Sequence, residues 1–396
     1  MPECCSTREG KPMTHSSPSK QTVVFVAPSA LFVGELAADA LIAELIHRGV
    51  EKPCCIIRGD AGKKRAVQRL LKTASPARIT MVQASNSPAQ DQLESFAEEF
   101  TTHGCDGIIA IGNSEVQAFA RLLRIRMSLS PEEFATIWQS GVIPDSVEAA
   151  TPLACLPFGN SDGTEIQTQV WLGEKRFDHH DLLPDLVGID PRLTGLSTQK
   201  EIAANTCTTM LNFITAFKDT DHMIMDSWIA CGFGFLQNAL QNWLLSTQDN
   251  TSWRNISSDM IAAQCLSSVC AYNRGASSIA RFVETLAVDG FANRHQSAAA
   301  LLPVLVVTIQ RNSPQTYIRL QEFLDHEDPK RFVEDWIAIA NPQGLDHIIQ
   351  ALCIDTYRLF ESVNVLRDIK PLLALLAADG TESADPSFTE SQRRSL

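Results

Sequence analysis

No Cys-x-x-Cys pair and no Cys/His ligand spacing occurs among the eleven cysteines, which stand at 4, 5, 54, 55, 105, 155, 207, 231, 265, 270 and 353. The number is odd and the spacing scattered. That excludes a disulfide framework and a zinc-finger type of site, and leaves reduced thiols, several of them small core residues, in a reducing compartment. A basic patch with interleaved aromatics is also missing, and the formal net charge is −13. Nucleic acid and anionic membrane are polyanions, so neither is expected as a partner. Long apolar runs are absent too: stretches such as Ala298–Ile309 are too short to cross a bilayer. The first twenty residues are polar and carry no secretory pattern, and the final Arg-Arg-Ser-Leu lacks the Ser-Lys-Leu order of a peroxisomal address. The expected location is cytoplasmic.

What is present is a chain of 396 residues, 44% hydrophobic, with room for two domains over a large core. Residues 1–20 and 378–396 are Ser/Thr/Glu/Pro-rich and read as disordered tails. Between 21 and 196, short apolar strands (Thr22–Val26, Cys54–Arg58, Arg78–Gln83, Gly107–Ile111, Leu153–Leu156, Leu186–Ile189) alternate with helices such as Gly34–Arg48, Lys63–Thr73 and Gln90–Thr102. This alternation predicts an α/β domain with a mainly parallel sheet. From 197 to 377 the pattern is helical throughout (199–217, 221–246, 256–288, 296–311, 315–325, 330–340, 344–376), which predicts an all-α domain.

The stretch 106–121 carries the strongest local signal. The strand Ile108–Ile111 runs into Gly112-Asn113-Ser114 and a helix begins at once. Such a turn offers backbone N–H groups and the positive end of a helix dipole, which suits a phosphate. With one glycine in place of two or three, it also reads as an ordinary strand-to-helix turn.

Three further segments set this turn in a frame. Val23-Val24-Phe25-Val26-Ala27-Pro28-Ser29-Ala30 takes the place of a Val-Val-Phe-Gly-x-Gly start. Pro157 to Glu165 lines up with Pro-Thr-Thr-Ala-Gly-Thr-Gly-Ser-Glu, and Leu183 to Thr194 with Leu-Pro-x-x-x-x-x-Asp-Pro-x-Leu-Thr. Over roughly residues 22–370 the chain resembles the iron-containing (group III) alcohol dehydrogenases and the maleylacetate reductases. The resemblance implies a dinucleotide-binding domain, a helical domain holding a divalent metal, and an active site in the cleft between them. It implies NAD or NADP as cofactor, held here by Gly112, Asn113 and Ser114, with Ser161 and Gly163 in the second segment. Gln117 and Ala120 stand where the family's loop carries Asp and Lys, and Phe158 and Gly159 replace its paired threonines. Asp60 stands where an acid holds the adenine ribose, or caps a turn. Lys175 lies near the nicotinamide end, or in an exposed hairpin.

The family's metal ligands, an Asp and a His at i and i+4 and two later histidines, fall on Thr208 and Asn212 and, to within one residue, on Ala280 and Arg294, with His295 adjacent. Threonine, asparagine and arginine do not replace three strong ligands, and an arginine repels a cation. No catalytic metal is therefore expected.

Two kinds of chemistry stay open. In one, hydride transfer to a small carbonyl or keto acid persists without a metal. Protein donors then polarise the carbonyl, and Arg294 or Arg281 anchors a carboxylate. In the other, the cleft runs a non-redox cyclisation, isomerisation or dehydration, with His295 or the His179-His180 pair between Asp178 and Asp181 as proton carriers. That histidine pair also reads as a weak metal spot or a plain polar loop. Cys207, next to Thr208, faces the cleft or the core. A catalytically silent binder is the third reading, and a homodimer is the expected assembly.

Overall fold

The computed structural model describes residues 27–58, 65–73, 80–84, 90–158, 166–172, 175–194, 199–217, 223–245, 250–274, 283 and 294–340. The strand expected at 22–26, the helix expected at 344–376 and both tails lie outside the described residues.

The first half is a three-layer α/β unit. Its strands are β1 (Ala30–Val33), β2 (Pro53–Arg58), β3 (Thr80–Ala84), β4 (Gly107–Gly112), β5 (Leu153–Pro157) and β8 (Leu186–Ile189). They form one sheet in the order β1-β8-β5-β4-β2-β3, and every pairing is parallel. Parallel strands covered on both faces must be apolar at every position. The alternation of side chains then divides each strand between two cores. Cys54, Ile56, Ile108, Ala110, Leu153 and Cys155 face the side of α3 (Gln90–Thr102) and α4 (Ser114–Arg126). Cys55, Ile57, Ile109, Ile111, Ala154 and Leu156 face the side of α1 (Ala37–His47) and α2 (Arg65–Thr73).

This division fixes where a ligand can enter. After β2 the chain turns into α2 on one face, and after β4 it turns into α4 on the other. The carboxyl ends of these neighbouring strands therefore border a crevice, the topological switch point of the sheet.

Two further elements complete the α/β unit. The strand that leads into α1 is Ala30–Val33, which pairs with Leu186–Ile189 and stands beyond the strands expected. The antiparallel hairpin β6 (Gln169–Leu172) and β7 (Lys175–Asp178) adds a second, two-stranded sheet. Between α4 and β5 lies α5 (Pro131–Ser140), whose start is fixed by a capping box between Ser130 and Glu133.

After the short α6 (Pro191–Thr194), the second half is helical: α7 (Gln199–Ala216), α8 (Met223–Leu245), α9 (Asn250–Arg274), α10 (Arg294–Asn312), α11 (Pro314–Leu324) and α12 (Pro329–Ala340). The helix expected from 256 begins six residues earlier, at Asn250. Helix α9 joins the halves. Its Ile261, Ala262, Cys265 and Val269 pack into the α3/α4 core, while Met260, Ala263, Leu266 and Cys270 pack into the helical core.

Candidate functional site

At the switch point, Gly112 is required by packing. A Cβ there would lie 2.4 Å from Val116 Cβ and 2.7 Å from both Val116 methyls, so the first turn of α4 can approach β4 only over a glycine. Asn113 caps that helix: its side chain accepts the Val116 N–H at 3.4 Å. Gln117, at the family's Asp position, is fully buried and donates from Nε2 to the carbonyls of Ala110 (3.3 Å), Gly112 (3.2 Å) and Leu156 (3.0 Å). Three converging carbonyls need a donor, so an amide fits where a carboxylate would be repelled. The Phe158 N–H donates to the Gly112 carbonyl at 2.9 Å, which ties the ends of β4 and β5 together.

The Asp-Pro pair of the third segment also has a structural cause. Asp190 is fully buried at the end of β8. It accepts the Ala38 N–H of α1 at 3.1 Å and the Arg192 N–H of α6 at 2.9 Å, so one carboxylate serves two helix starts. The Arg192 guanidinium bridges Asp190 and Asp39.

The helix start at Gly112–Ser114 lies in the crevice, with its positive dipole end and no side chain at 112. These features fit a pyrophosphate group. The Glu115 carboxylate in the first turn sets a charge against it. Asp60, Ser161 and Gly163 lie outside the described residues, as do Gly159, Ala280 and Arg281. Lys175 is a hairpin residue: its Nζ donates to the Trp138 carbonyl at 2.9 Å and sits 5.7 Å from that indole ring.

In the helical half, the structure brings two predicted residues together. Thr208 Oγ1 of α7 and His295 Nδ1 of α10 are hydrogen-bonded at 3.0 Å. Asn212 is buried one turn beyond Thr208. The side chain of Arg294, which opens α10, is not among those described. The three described side chains supply an imidazole and two neutral polar groups, with no carboxylate. Cys207 belongs to the helical core, and burial pushes its thiol up to about 12, so it is no cleft nucleophile.

Sequence reading missed the breadth of this polar face. Asn205, Thr208, Thr209 and Asn212 form one buried stripe of α7 at helical spacing, a periodicity visible in the sequence. It also missed a stripe on α9. Ser257 Oγ donates to the Thr194 carbonyl at 2.8 Å. Further along the same helix, buried Gln264 and Ser268 have no hydrogen-bond partner for their side chains among the described residues. This stripe lies between the α9 face that packs on the α/β unit and the face that packs on the helical core.

His180 is exposed. Its ring stacks on buried His179 at 4.1 Å, and its Nε2 lies 3.6 Å from Asp181 Oδ1.

These features define a class. The chain has the fold of the iron-containing alcohol dehydrogenases, an α/β unit followed by a helical domain. An iron-containing alcohol dehydrogenase from Thermococcus thioreducens is 15% identical with a TM-score of 0.65, covering 90% of this chain and 100% of its own. Sulfoacetaldehyde reductase from Bifidobacterium kashiwanohense, solved in complex with NAD+, is 14% identical with a TM-score of 0.70, covering 92% and 100%. Maleylacetate reductase from Rhizobium sp. strain MTP-10005 is 15% identical with a TM-score of 0.69, covering 92% and 100%. No protein-family model and no curated protein matches the sequence. Among the described residues, no helix is long and apolar enough to cross a membrane.

Proposed function

We propose that the protein is a metal-independent, NAD(P)-dependent reductase of a small carbonyl or keto-acid compound. The observation that carries the reading is the Thr208–His295 hydrogen bond, formed at and beside positions where the resemblance places metal ligands. Thr208, where the resemblance places a carboxylate ligand, instead orients the His295 ring through Nδ1. The fold supports the cofactor, since its neighbours include oxidoreductases and one of them is bound to NAD+.

In this reading the dinucleotide rests on the α4 start, with Gly112, Asn113 and Ser114 beneath its pyrophosphate. The nicotinamide, when bound, supplies the hydride. Thr208 fixes the His295 ring through Nδ1, and the ring's second nitrogen exchanges the proton with the substrate oxygen. The Asn212 amide, on the same face of α7, donates a hydrogen bond to that oxygen in place of a Lewis acid. A positioned donor of this kind contributes about 10²-fold or more in rate.

A second reading, a non-redox cyclase, isomerase or lyase in the same cleft, is favoured by one feature. Asn113 and Glu115 place an acceptor and a carboxylate at the α4 start, where a pyrophosphate would sit. Titration of the EDTA-treated protein with NADH and NADPH separates the two. Saturable binding with turnover of a ketone or keto acid supports the reductase. No binding at millimolar cofactor sinks it, and turnover without nicotinamide establishes the second reading.

A further inference from the structure

We propose that His179, His180 and Asp181 form a binding site for a divalent cation of the zinc class. Each residue offers one ligand atom, and the three atoms lie within 4.8 Å of one another. Neighbouring residues of a strand point to opposite faces. Here the chain leaves β7, passes through an extended His179 (φ −165, ψ 145) and enters a single 3-10 turn at His180–Leu182. That change of direction brings adjacent side chains to one side, and the two imidazoles stack at a 35° tilt.

The surroundings hold the group in place. Asp181 Oδ2 accepts the Ala149 N–H at 2.7 Å, which leaves Oδ1 facing the His180 imidazole at 3.6 Å. Arg124 Nη1 donates to the Leu183 carbonyl at 2.8 Å and so pins the backbone of the turn. His179 Nδ1 accepts the Asp181 N–H at 3.2 Å, and its buried Nε2 has no hydrogen-bond partner among the described residues. A cation taking Nδ1 displaces that long amide bond.

The donor chemistry selects the ion. Two imidazoles and one carboxylate suit zinc, copper or nickel, whereas magnesium and calcium need more oxygens. Zinc–nitrogen bonds are about 2.0–2.1 Å, so the ligands must draw together, and exposed His180 is free to swing inward. The exposed side of the turn leaves room for water at the remaining positions. Once closed, the site would staple the β7–β8 connection to the loop carrying Ala149.

The test is calorimetric titration of the EDTA-stripped full chain with Zn2+, paired with Co2+ absorption spectra. One equivalent of Zn2+ should bind, and the Co2+ spectrum should lack a thiolate charge-transfer band. His180→Ala should weaken binding by about tenfold or more, and Asp181→Asn should do the same, each with an unchanged far-UV spectrum. His180→Gln serves if His180→Ala proves unstable. Three results would overturn the site: no Zn2+ binding at millimolar metal, undiminished binding in the His180 variants, or a thiolate–cobalt band that assigns the ion to cysteine.

Discussion

Replacing Gly112 with alanine tests whether the tight β4–α4 turn is built as described. The added methyl would sit 2.4 Å from Val116 Cβ, too close for any rotamer change to relieve, because Cβ positions follow the backbone. The first turn of α4 would have to move. It is held by the Asn113 cap, by three Gln117 hydrogen bonds and by the Phe158 N–H on the Gly112 carbonyl. Overpacking a close-packed site costs roughly 1–3 kcal/mol, and the ties that resist relaxation put Gly112→Ala near the upper end, about 3 kcal/mol. Val116→Gly removes the obstructing atoms at a cost of about 3 kcal/mol in packing and helix propensity. The double variant should then be only slightly worse than Val116→Gly alone, a coupling of about 2 kcal/mol. Urea unfolding at constant m reads all four corners of the cycle. A Gly112→Ala variant within about 0.5 kcal/mol of wild type, or additive effects in the double variant, would refute the packing argument.

Three more perturbations follow from the same geometry. Asp190→Asn weakens the hold on two helix starts and leaves Arg192 with half its carboxylate partners; a loss of about 2–4 kcal/mol in urea unfolding is expected, and a neutral variant would contradict the role given to this carboxylate. Gln264→Leu removes a buried amide with no partner among the described residues, so the free protein should gain about 1 kcal/mol; a loss would mean that the amide is satisfied in solution. Burial alone raises the Asp259 pKa from 3.8 to about 6, so the folded state holds this proton more tightly than the unfolded chain. Asp259 therefore makes stability fall as pH rises from about 4 to about 6 and adds no further slope above that. Asp259→Asn should remove this slope and, after discounting for solvent screening, be more stable at pH 7.5 by about 1 kcal/mol; an unchanged slope would rule out Asp259 as its source.

Much of the fold was legible in the residues. Buried parallel strands declare themselves as short apolar runs, and Leu186–Ile189 and Gln90–Thr102 matched their expected bounds. The strand Ala30–Val33 was hidden, because it is short and is set by a long-range pairing with β8. The hairpin was visible only as one of two readings of Lys175, since its strands are short and half-exposed. Within the candidate site, the positions of Thr208 and His295 came from the sequence, but their hydrogen bond joins residues 87 apart in the chain and needed the fold. The role of Gln117 was hidden for the same reason. Its three acceptors come from the ends of two strands, and no local pattern announces them.

The central claim is reduction without a metal, and one measurement addresses it directly. Protein stripped with EDTA and verified metal-free by mass spectrometry is assayed for NADH or NADPH oxidation against a panel of small ketones and keto acids. The reading predicts turnover that is unchanged by added Fe2+ or Zn2+ and falls about 10²-fold in His295→Gln. Activity that appears only when one equivalent of iron or zinc is restored, with His295→Gln retaining full rate, would contradict it.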